Sequence, residues 1–90
     1  MTIKTLRLVI HGRVHGVFFR DSMRREAQKL GVAGWVKNRS DGAVEAAVQG
    51  ESADVDAIVR WVHRGSESAQ VERVEIGPDV GSYTNFEVIG

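Results

Sequence analysis

The sequence predicts an α+β fold, in which a mostly antiparallel sheet of four or five strands carries two helices on one face. Three observations predict it. Alternating apolar residues and apolar residues at helical spacing follow one another in the order β-α-β-β-α-β, and a short extra strand can follow. Turn-forming residues separate these segments. The 90 residues are enough for one domain, which we expect to span residues 1–90.

The first predicted strand and helix flank a glycine-containing turn. Residues 5–11 alternate in polarity, which is typical of a strand with one buried face. Its predicted buried side consists of Leu6, Leu8 and Ile10. A helix is predicted over residues 21–30, and Gly31 is a candidate C-terminal cap. The apolar face of this helix is expected to contain Phe19, Met23, Ala27 and Leu30.

The middle of the chain predicts a hairpin and a second helix. Strands are expected over residues 32–37 and 43–49, joined by a turn over residues 38–42, because Asp-Gly supplies the backbone angles of a tight turn. Gly50 and Ser52 are expected to open the second helix. Its predicted buried stripe consists of Val55, Ile58, Val59 and Val62.

Two further strands are predicted over residues 71–76 and 83–89, with a turn at Gly77-Pro78-Asp79. Each β-α-β crossover is expected to be right-handed. The complete order is then that of the ferredoxin-like split βαβ fold. Many unrelated functions use this fold, so it does not by itself select one.

The composition excludes some classes of protein. There is no cysteine, which excludes disulfides and thiolate chemistry and suits a reducing compartment. No apolar run approaches the roughly 20 residues of a membrane span, and the first residues lack a signal-peptide core. We therefore expect a cytoplasmic protein without a membrane partner, and a monomer as the default for a small charged domain.

The charges are unevenly distributed along the chain. Residues 1–39 contain nine Lys/Arg and two Asp/Glu, a net charge of +7, whereas residues 40–90 carry −7. If the basic half surrounds the glycine turn, it attracts a small anion. A nucleic-acid surface would need interleaved stacking aromatics, and the third predicted strand has none, so we expect no nucleic-acid partner.

The segment from His11 to Arg20 is the strongest local signal. It places Gly12 and Gly16 four residues apart between a strand and a helix, with Arg13 and Arg20 on either side of the second glycine. Such a turn can wrap an anion with backbone N–H groups, aided by the helix dipole and a guanidinium fork. The spacing fits neither the dinucleotide fingerprint nor the P-loop. From the glycines alone, plain turn chemistry is an equal alternative.

Two stretches together resemble the acylphosphatase family. Gly12-Arg13-Val14-His15-Gly16-Val17-Phe18-Phe19-Arg20 resembles its first motif, and Gly34-Trp35-Val36-Lys37-Asn38-Arg39-Ser40-Asp41-Gly42-Ala43-Val44-Glu45 resembles its second. The separation of the motifs, the chain length and the order of elements also match, from about Leu6 to Val88. His15 departs from the glutamine that is usual at its position, and Lys37 from a common arginine.

The resemblance implies hydrolysis of an acyl phosphate to a carboxylate and inorganic phosphate, without a metal ion or cofactor. The phosphate-binding arginine of the family corresponds to Arg20, and its water-orienting asparagine to Asn38. The phosphate cradle corresponds to the backbone of Arg13, Val14, His15, Gly16 and Val17. The expected partners are therefore a small acyl phosphate and the phosphate product.

Other readings of the chain remain open at this stage. A ferredoxin-like module could bind a small anion or RNA without chemistry, and a third possibility is a stand-alone relative of the acylphosphatase-like domain of larger maturation proteins. We expect no metal site, because His11 and His15 are separated by a turn, His63 lies on the second helix, and no cysteine is present. The identity of the acyl group is not encoded in any motif.

Overall fold

The computed structural model describes residues 2–16 and 18–90, and it confirms the ferredoxin-like architecture. Its strands are β1 (Ile3–Arg13), β2 (Ala33–Asn38), β3 (Val44–Glu51), β4 (Gln70–Pro78) and β5 (Phe86–Val88). Its helices are α1 (Phe19–Leu30) and α2 (Ser52–Arg64). The order of the elements is the predicted one, including the short extra strand at the end.

The five strands form one sheet in the order β4-β1-β3-β2-β5. The pairs β1–β4, β1–β3 and β2–β3 are antiparallel, whereas β5 runs parallel to β2. Leu8 on β1 lies opposite Ala46 on β3 and Ile76 on β4, which fixes the register across the centre. β3 therefore separates β1 from β2. The end of β1, which leads into the first motif, and the end of β2, which carries Asn38, lie two strands apart.

The core lies between the sheet and the two helices. Alternate residues of the strands face the helices and are buried, among them Leu8, Ile10 and Val36, as the strand period of two requires. α1 contributes Phe19 and Met23 to the same cluster, and the Phe19 ring lies 5.4 Å from that of Trp61 on α2. The apolar faces predicted for both helices are confirmed. None of the described helices is long and apolar enough to cross a membrane.

The helix-to-strand junction after α1 and the β2–β3 hairpin follow the predicted turn chemistry. Gly31 has φ 74° and caps α1, with its N–H directed to the carbonyl groups of Ala27 and Gln28. In the hairpin, Ala43 N–H donates to Asp41 Oδ1 at 3.1 Å, which lowers the pKa of the Asp41 carboxyl below its ordinary value. Both turns are fixed by local hydrogen bonds, so neighbouring residues suffice to predict them.

Three predicted boundaries are wrong at the ends of elements. Gly77 and Pro78 are not a turn but the last residues of β4, where they pair with Arg7 and Leu6 of β1. Proline, which has no N–H, is tolerated there because β4 is an edge strand. One side of an edge strand forms no hydrogen bonds to another strand. Gly50, expected to open α2, belongs to β3 instead.

The last strand also begins later than predicted. It was expected from Tyr83, but β5 begins at Phe86. Tyr83 N–H donates to the side-chain oxygen of Gln49 at 3.0 Å, so this segment crosses the end of the sheet instead of joining the ladder. The side chain of Gln49 on β3 thus accepts the hydrogen bond that a neighbouring strand would otherwise accept. The local sequence around Tyr83 does not indicate this contact, because Gln49 is distant in the chain.

The sheet face opposite the helices carries a network of charges. The Arg7 guanidinium donates to Glu45 at 2.9 Å and to Asp79 at 2.6 Å, and it lies 5.0 Å from the centre of the Trp35 ring. The Tyr83 hydroxyl donates to Asp79 at 2.7 Å. This hydrogen bond, with the Gly81 amide and Arg7, holds the pKa of the Asp79 carboxyl below its ordinary value.

Candidate active site

The loop between β1 and α1 is the first component of the site. Val14 is 1% exposed and packs into the core, so it offers the loop only its backbone. His15 and Gly16 follow at the surface, and Gly16 has φ 68° with open space around it. The amide groups of His15, Gly16 and Phe18 donate to no acceptor within the described part of the chain. Val17, also predicted for this loop, lies outside the described residues.

The two glycines of the first motif have different structural roles. Gly12 lies inside β1, at a register shift against β4, with φ 131°. A Cβ there would sit 2.1 Å from the Gln70 carbonyl oxygen, so glycine is needed for close approach of the two strands. The prediction that both glycines form an anion-wrapping turn is therefore wrong for Gly12. Gly16 alone belongs to the loop.

Arg13 and Arg20 both stand near the loop, but only Arg20 points into the adjoining groove. Arg13 ends β1 and is exposed. Arg20 lies in the first turn of α1, where unpaired N–H groups and the positive end of the helix dipole favour anions. Its Nη1 donates to the Gly90 oxygen at 2.7 Å. Among the described residues it has no carboxylate partner, so its positive charge is available to an anionic ligand.

The other charges of the first α1 turn neutralise one another. Asp21 accepts from Arg24 at 2.7 Å and from Arg25 at 2.9 Å. Asp21 therefore does not compete for Arg20, although the two are neighbours in sequence. Among the described residues, Arg20 is thus the guanidinium of this turn that has no Asp or Glu partner.

Asn38 ends β2 and comes close to Arg20. Its N–H donates to the Gly90 oxygen at 3.4 Å, the same oxygen that accepts from Arg20. Its side-chain oxygen Oδ1 is buried and accepts no hydrogen bond from the described protein atoms. Two residues that are 18 positions apart in the sequence thus donate to one oxygen, Arg20 through its side chain and Asn38 through its backbone N–H.

His15 ties the loop to the hairpin that carries Asn38. Its Nε2 lies 2.9 Å from the Ala43 carbonyl oxygen, which also accepts from the Arg39 N–H at 2.8 Å. Since a carbonyl only accepts, Nε2 must carry a proton in this contact. The loop after β1 and the turn after β2 are thereby held together, even though β3 lies between their strands.

Phe18, Phe86 and Val88 line the groove beside Arg20, and the sequence did not single them out as site residues. A signal was present in the pair Phe18-Phe19, of which only Phe19 was expected on the apolar face of the helix. Phe19 lies there and is buried, whereas Phe18 is 83% exposed. Gly90 was not predicted either, because its place beside Arg20 depends on the whole β5 segment.

No group of three or more His, Asp or Glu side chains in residues 2–16 and 18–90 is arranged to hold a metal ion. The loop, Arg20 and Asn38 offer backbone N–H groups, one guanidinium and one amide. The N–H groups can donate to negatively charged oxygen atoms, and the side-chain oxygen of Asn38 is a neutral acceptor. They are suited to an oxyanion ligand.

Comparison with known proteins shows the family to which the chain belongs. A family model described as acylphosphatase matches residues 6–88. An acylphosphatase of Thiobacillus denitrificans is 56% identical over 85 residues, which cover 94% of this chain and 96% of the relative. The solved structure of an acylphosphatase from Coxiella burnetii superposes with a TM-score of 0.92 at 35% identity, covering 97% of this chain and 93% of that one. The chain belongs to the acylphosphatase family.

The same fold also occurs inside a much larger protein. The solved structure of full-length HypF, in its phosphate- and nucleotide-bound form, superposes with a TM-score of 0.90 at 27% identity. The match covers 99% of this chain but 12% of HypF. The small acylphosphatases match over nearly their whole length, so they are the nearer comparison for this chain.

Proposed function

We propose that the protein hydrolyses acyl phosphates to a carboxylate and inorganic phosphate. The backbone of residues 13–17 and Arg20 hold the phosphoryl group, and Asn38 orients the attacking water. The observation that supports this most is the meeting of Arg20 and Asn38 at the Gly90 oxygen, beside amides with no described acceptor. Membership of the acylphosphatase family supports the same substrate class.

Substrate binding requires Arg20 to exchange one partner for another. Its contact with Gly90 is exposed and uses one of the five N–H donors of the guanidinium. A phosphoryl group offers two charged oxygens to the guanidinium fork, and such a bidentate pair adds a second hydrogen bond and an opposite charge to what the single Gly90 contact provides. The exchange therefore favours the phosphoryl group.

The reaction needs little besides charge stabilisation and a positioned water. The leaving carboxylate has a conjugate acid of pKa about 4, so it departs without being protonated. The transition state of phosphoryl transfer is loose, with charge spread over the equatorial oxygens. Amide N–H groups and a guanidinium stabilise that charge, and Asn38 Oδ1 can accept a hydrogen bond from the water. None of these steps calls for a metal ion or cofactor.

We further propose that a phosphoryl oxygen of the substrate accepts the proton of the water. His15 is the nearest imidazole of the loop, but its Nε2 is engaged as a donor to Ala43. If His15 were an essential base, the rate would fall as its imidazole becomes protonated, and His15→Gln would abolish this dependence. An essential carboxylate would instead give a fall at lower pH that persists in His15→Gln. We expect instead that His15→Gln leaves the form of the pH–rate profile unchanged.

The direct test is the hydrolysis of an aryl acyl phosphate in the presence of a chelator, comparing the unmodified protein with Asn38→Ala. We expect the unmodified protein to turn over and the variant to lose about 100-fold in kcat, the order of magnitude for a misplaced reactant. The inhibition constant for inorganic phosphate should not change. Asn85→Ala is the matched control and should retain activity, because Asn85 is exposed and its backbone carbonyl accepts from Gly34 near the other end of β2.

A second candidate function is a module that binds an anion without chemistry. The Arg20 guanidinium and the loop amides without an acceptor in the described residues would serve it equally. Phosphate binding by a protein that never turns over an acyl phosphate would favour this candidate and refute the hydrolase. Loss of phosphate binding in Asn38→Ala would make Asn38 a part of the phosphate cradle instead of a water-positioning residue.

A further inference from the structure

An open groove of about 770 Å³ extends from Arg20 along the first turns of α1 to β5. Its walls combine charged side chains with an apolar part that consists of Val14, Phe18, Phe86 and Val88. Val88 is 40% exposed, and Phe18 is 83% exposed. The groove therefore joins an apolar surface directly to the site proposed for the phosphoryl group.

Phe18 occupies its position against two unfavourable tendencies. It is the only non-glycine residue with positive φ in the described part of the chain, at φ 57° and ψ 24°, a conformation disfavoured for bulky side chains. It also takes the N-cap of α1 without capping it, where Asn, Asp or Ser is preferred. A large apolar side chain that is both strained and exposed at a ligand groove indicates a role in binding.

We propose that this groove binds the acyl group of the substrate, with Phe18 and Val88 as the residues that select an uncharged aromatic or branched aliphatic acyl group. The proposal rests on the proposed function, because it requires Arg20 to hold the phosphoryl group at one end of the groove. The mixed anhydride then places the acyl carbon directly beside that end. An aromatic or branched aliphatic acyl group is large enough to extend along the groove toward the Phe18 ring, whereas an acetyl group leaves most of the groove unfilled.

The charges along the groove favour a neutral acyl group. Arg24 also lines it, but Arg24 is paired with Asp21 at 2.7 Å. Glu87 lines the β5 side. An acyl group with a second carboxylate or phosphate would therefore approach a carboxylate on one side and, on the other, a guanidinium that is already neutralised. An uncharged group buries apolar surface without displacing an ion pair.

The test compares kcat/KM for benzoyl phosphate, acetyl phosphate and succinyl phosphate in the unmodified protein and in Phe18→Asn and Val88→Ala. Asparagine tolerates the left-handed conformation, so Phe18→Asn should fold at least as well as the unmodified chain. Val80→Ala is the matched apolar control, since Val80 is fully exposed beyond the far end of β1. Inhibition by inorganic phosphate reports the phosphoryl end separately.

We expect benzoyl phosphate to be preferred, and each groove variant to lose about tenfold in kcat/KM for it, within the range for apolar pocket contacts. In Val88→Ala, acetyl phosphate turnover and phosphate inhibition should not change. In Phe18→Asn, the ratio of benzoyl phosphate to acetyl phosphate turnover should fall about tenfold, and Val80→Ala should match the unmodified protein. Equal losses for benzoyl and acetyl phosphate, or no loss for either, would overturn the proposal. So would a preference for succinyl phosphate that disappears in Arg24→Met. A protein that hydrolyses none of the three refutes the proposed function itself, which is a distinguishable result.

Discussion

Gly12→Ala tests whether the close approach of β1 and β4 next to the loop is a requirement of the fold. The Cβ of alanine would lie 2.1 Å from the Gln70 oxygen and 2.8 Å from the Glu72 nitrogen, both backbone atoms that no rotamer change can move. An unstrained carbon–oxygen contact is about 3.3 Å, so the strands must separate by about 1 Å or the bulge must rearrange. The residue must in addition adopt φ 131°, which L-residues avoid.

We expect Gly12→Ala to lower the free energy of unfolding by about 3 kcal/mol, since backbone strain of this kind costs on the order of 1–3 kcal/mol and lost strand pairing adds to it. Gly31→Ala is the matched control, because Gly31 has φ 74° but open space where the Cβ would lie. It should lose about 1 kcal/mol from backbone conformation alone. Urea unfolding followed by tryptophan fluorescence measures both. Equal midpoints for the two variants would refute the close-contact explanation.

Three further perturbations separate the phosphoryl site from the scaffold. Arg20→Lys replaces a two-pronged guanidinium by a point charge and should weaken inhibition by inorganic phosphate about 10-fold or more. Arg25→Lys, on the exposed side of α1, should leave this inhibition unchanged. Equal effects of the two variants would exclude a specific role for Arg20. His15→Ala removes the hydrogen bond from the loop to the hairpin and should raise KM about fivefold, as expected for the loss of one hydrogen bond. Glutamine can donate to the same carbonyl, so His15→Gln should keep KM near that of the unmodified protein. A raised KM in His15→Gln would contradict the role of this hydrogen bond. Tyr83→Phe removes the hydrogen bond that lowers the pKa of Asp79. The ionised Asp79 stabilises the fold above its unfolded pKa of about 4, and this stabilisation is lost as the pH falls through the lower folded pKa. We therefore expect the variant to lose about 1 kcal/mol of unfolding free energy at pH 7. Unfolding curves at pH 7 and pH 3 that show the same loss in this variant would contradict the assignment.

The sequence predicts most of the fold because most of it is determined locally. The stripe that contains Met23 and Ala27, the Gly31 cap and the Asp41-Gly42 turn each depend on residues a few positions apart. The errors arise where distant residues decide. Gly77 and Pro78 extend β4 because β1 continues beside them, and Tyr83 leaves the ladder because Gln49 on another strand accepts its N–H.

The sequence proposes residues for the candidate site but does not indicate how they come together. The motifs suggest Arg20 and Asn38, whereas their meeting at the Gly90 oxygen depends on the parallel pairing of β5 with β2. Gly12 was assigned to the loop because a glycine spacing does not distinguish a positive-φ turn from close contact between strands. The exposure of Phe18 likewise requires the position of Phe19 in the core.

The most direct test of the central claim follows the oxygen of the attacking water. If Arg20 and the loop hold the phosphoryl group and Asn38 orients water toward it, the water attacks phosphorus and the P–O bond to the acyl oxygen breaks. Single-turnover hydrolysis of an acyl phosphate in ¹⁸O-water should then place the label in inorganic phosphate and none in the carboxylate. Label in the carboxylate would show attack at the acyl carbon, and it would contradict the roles proposed for Arg20 and Asn38.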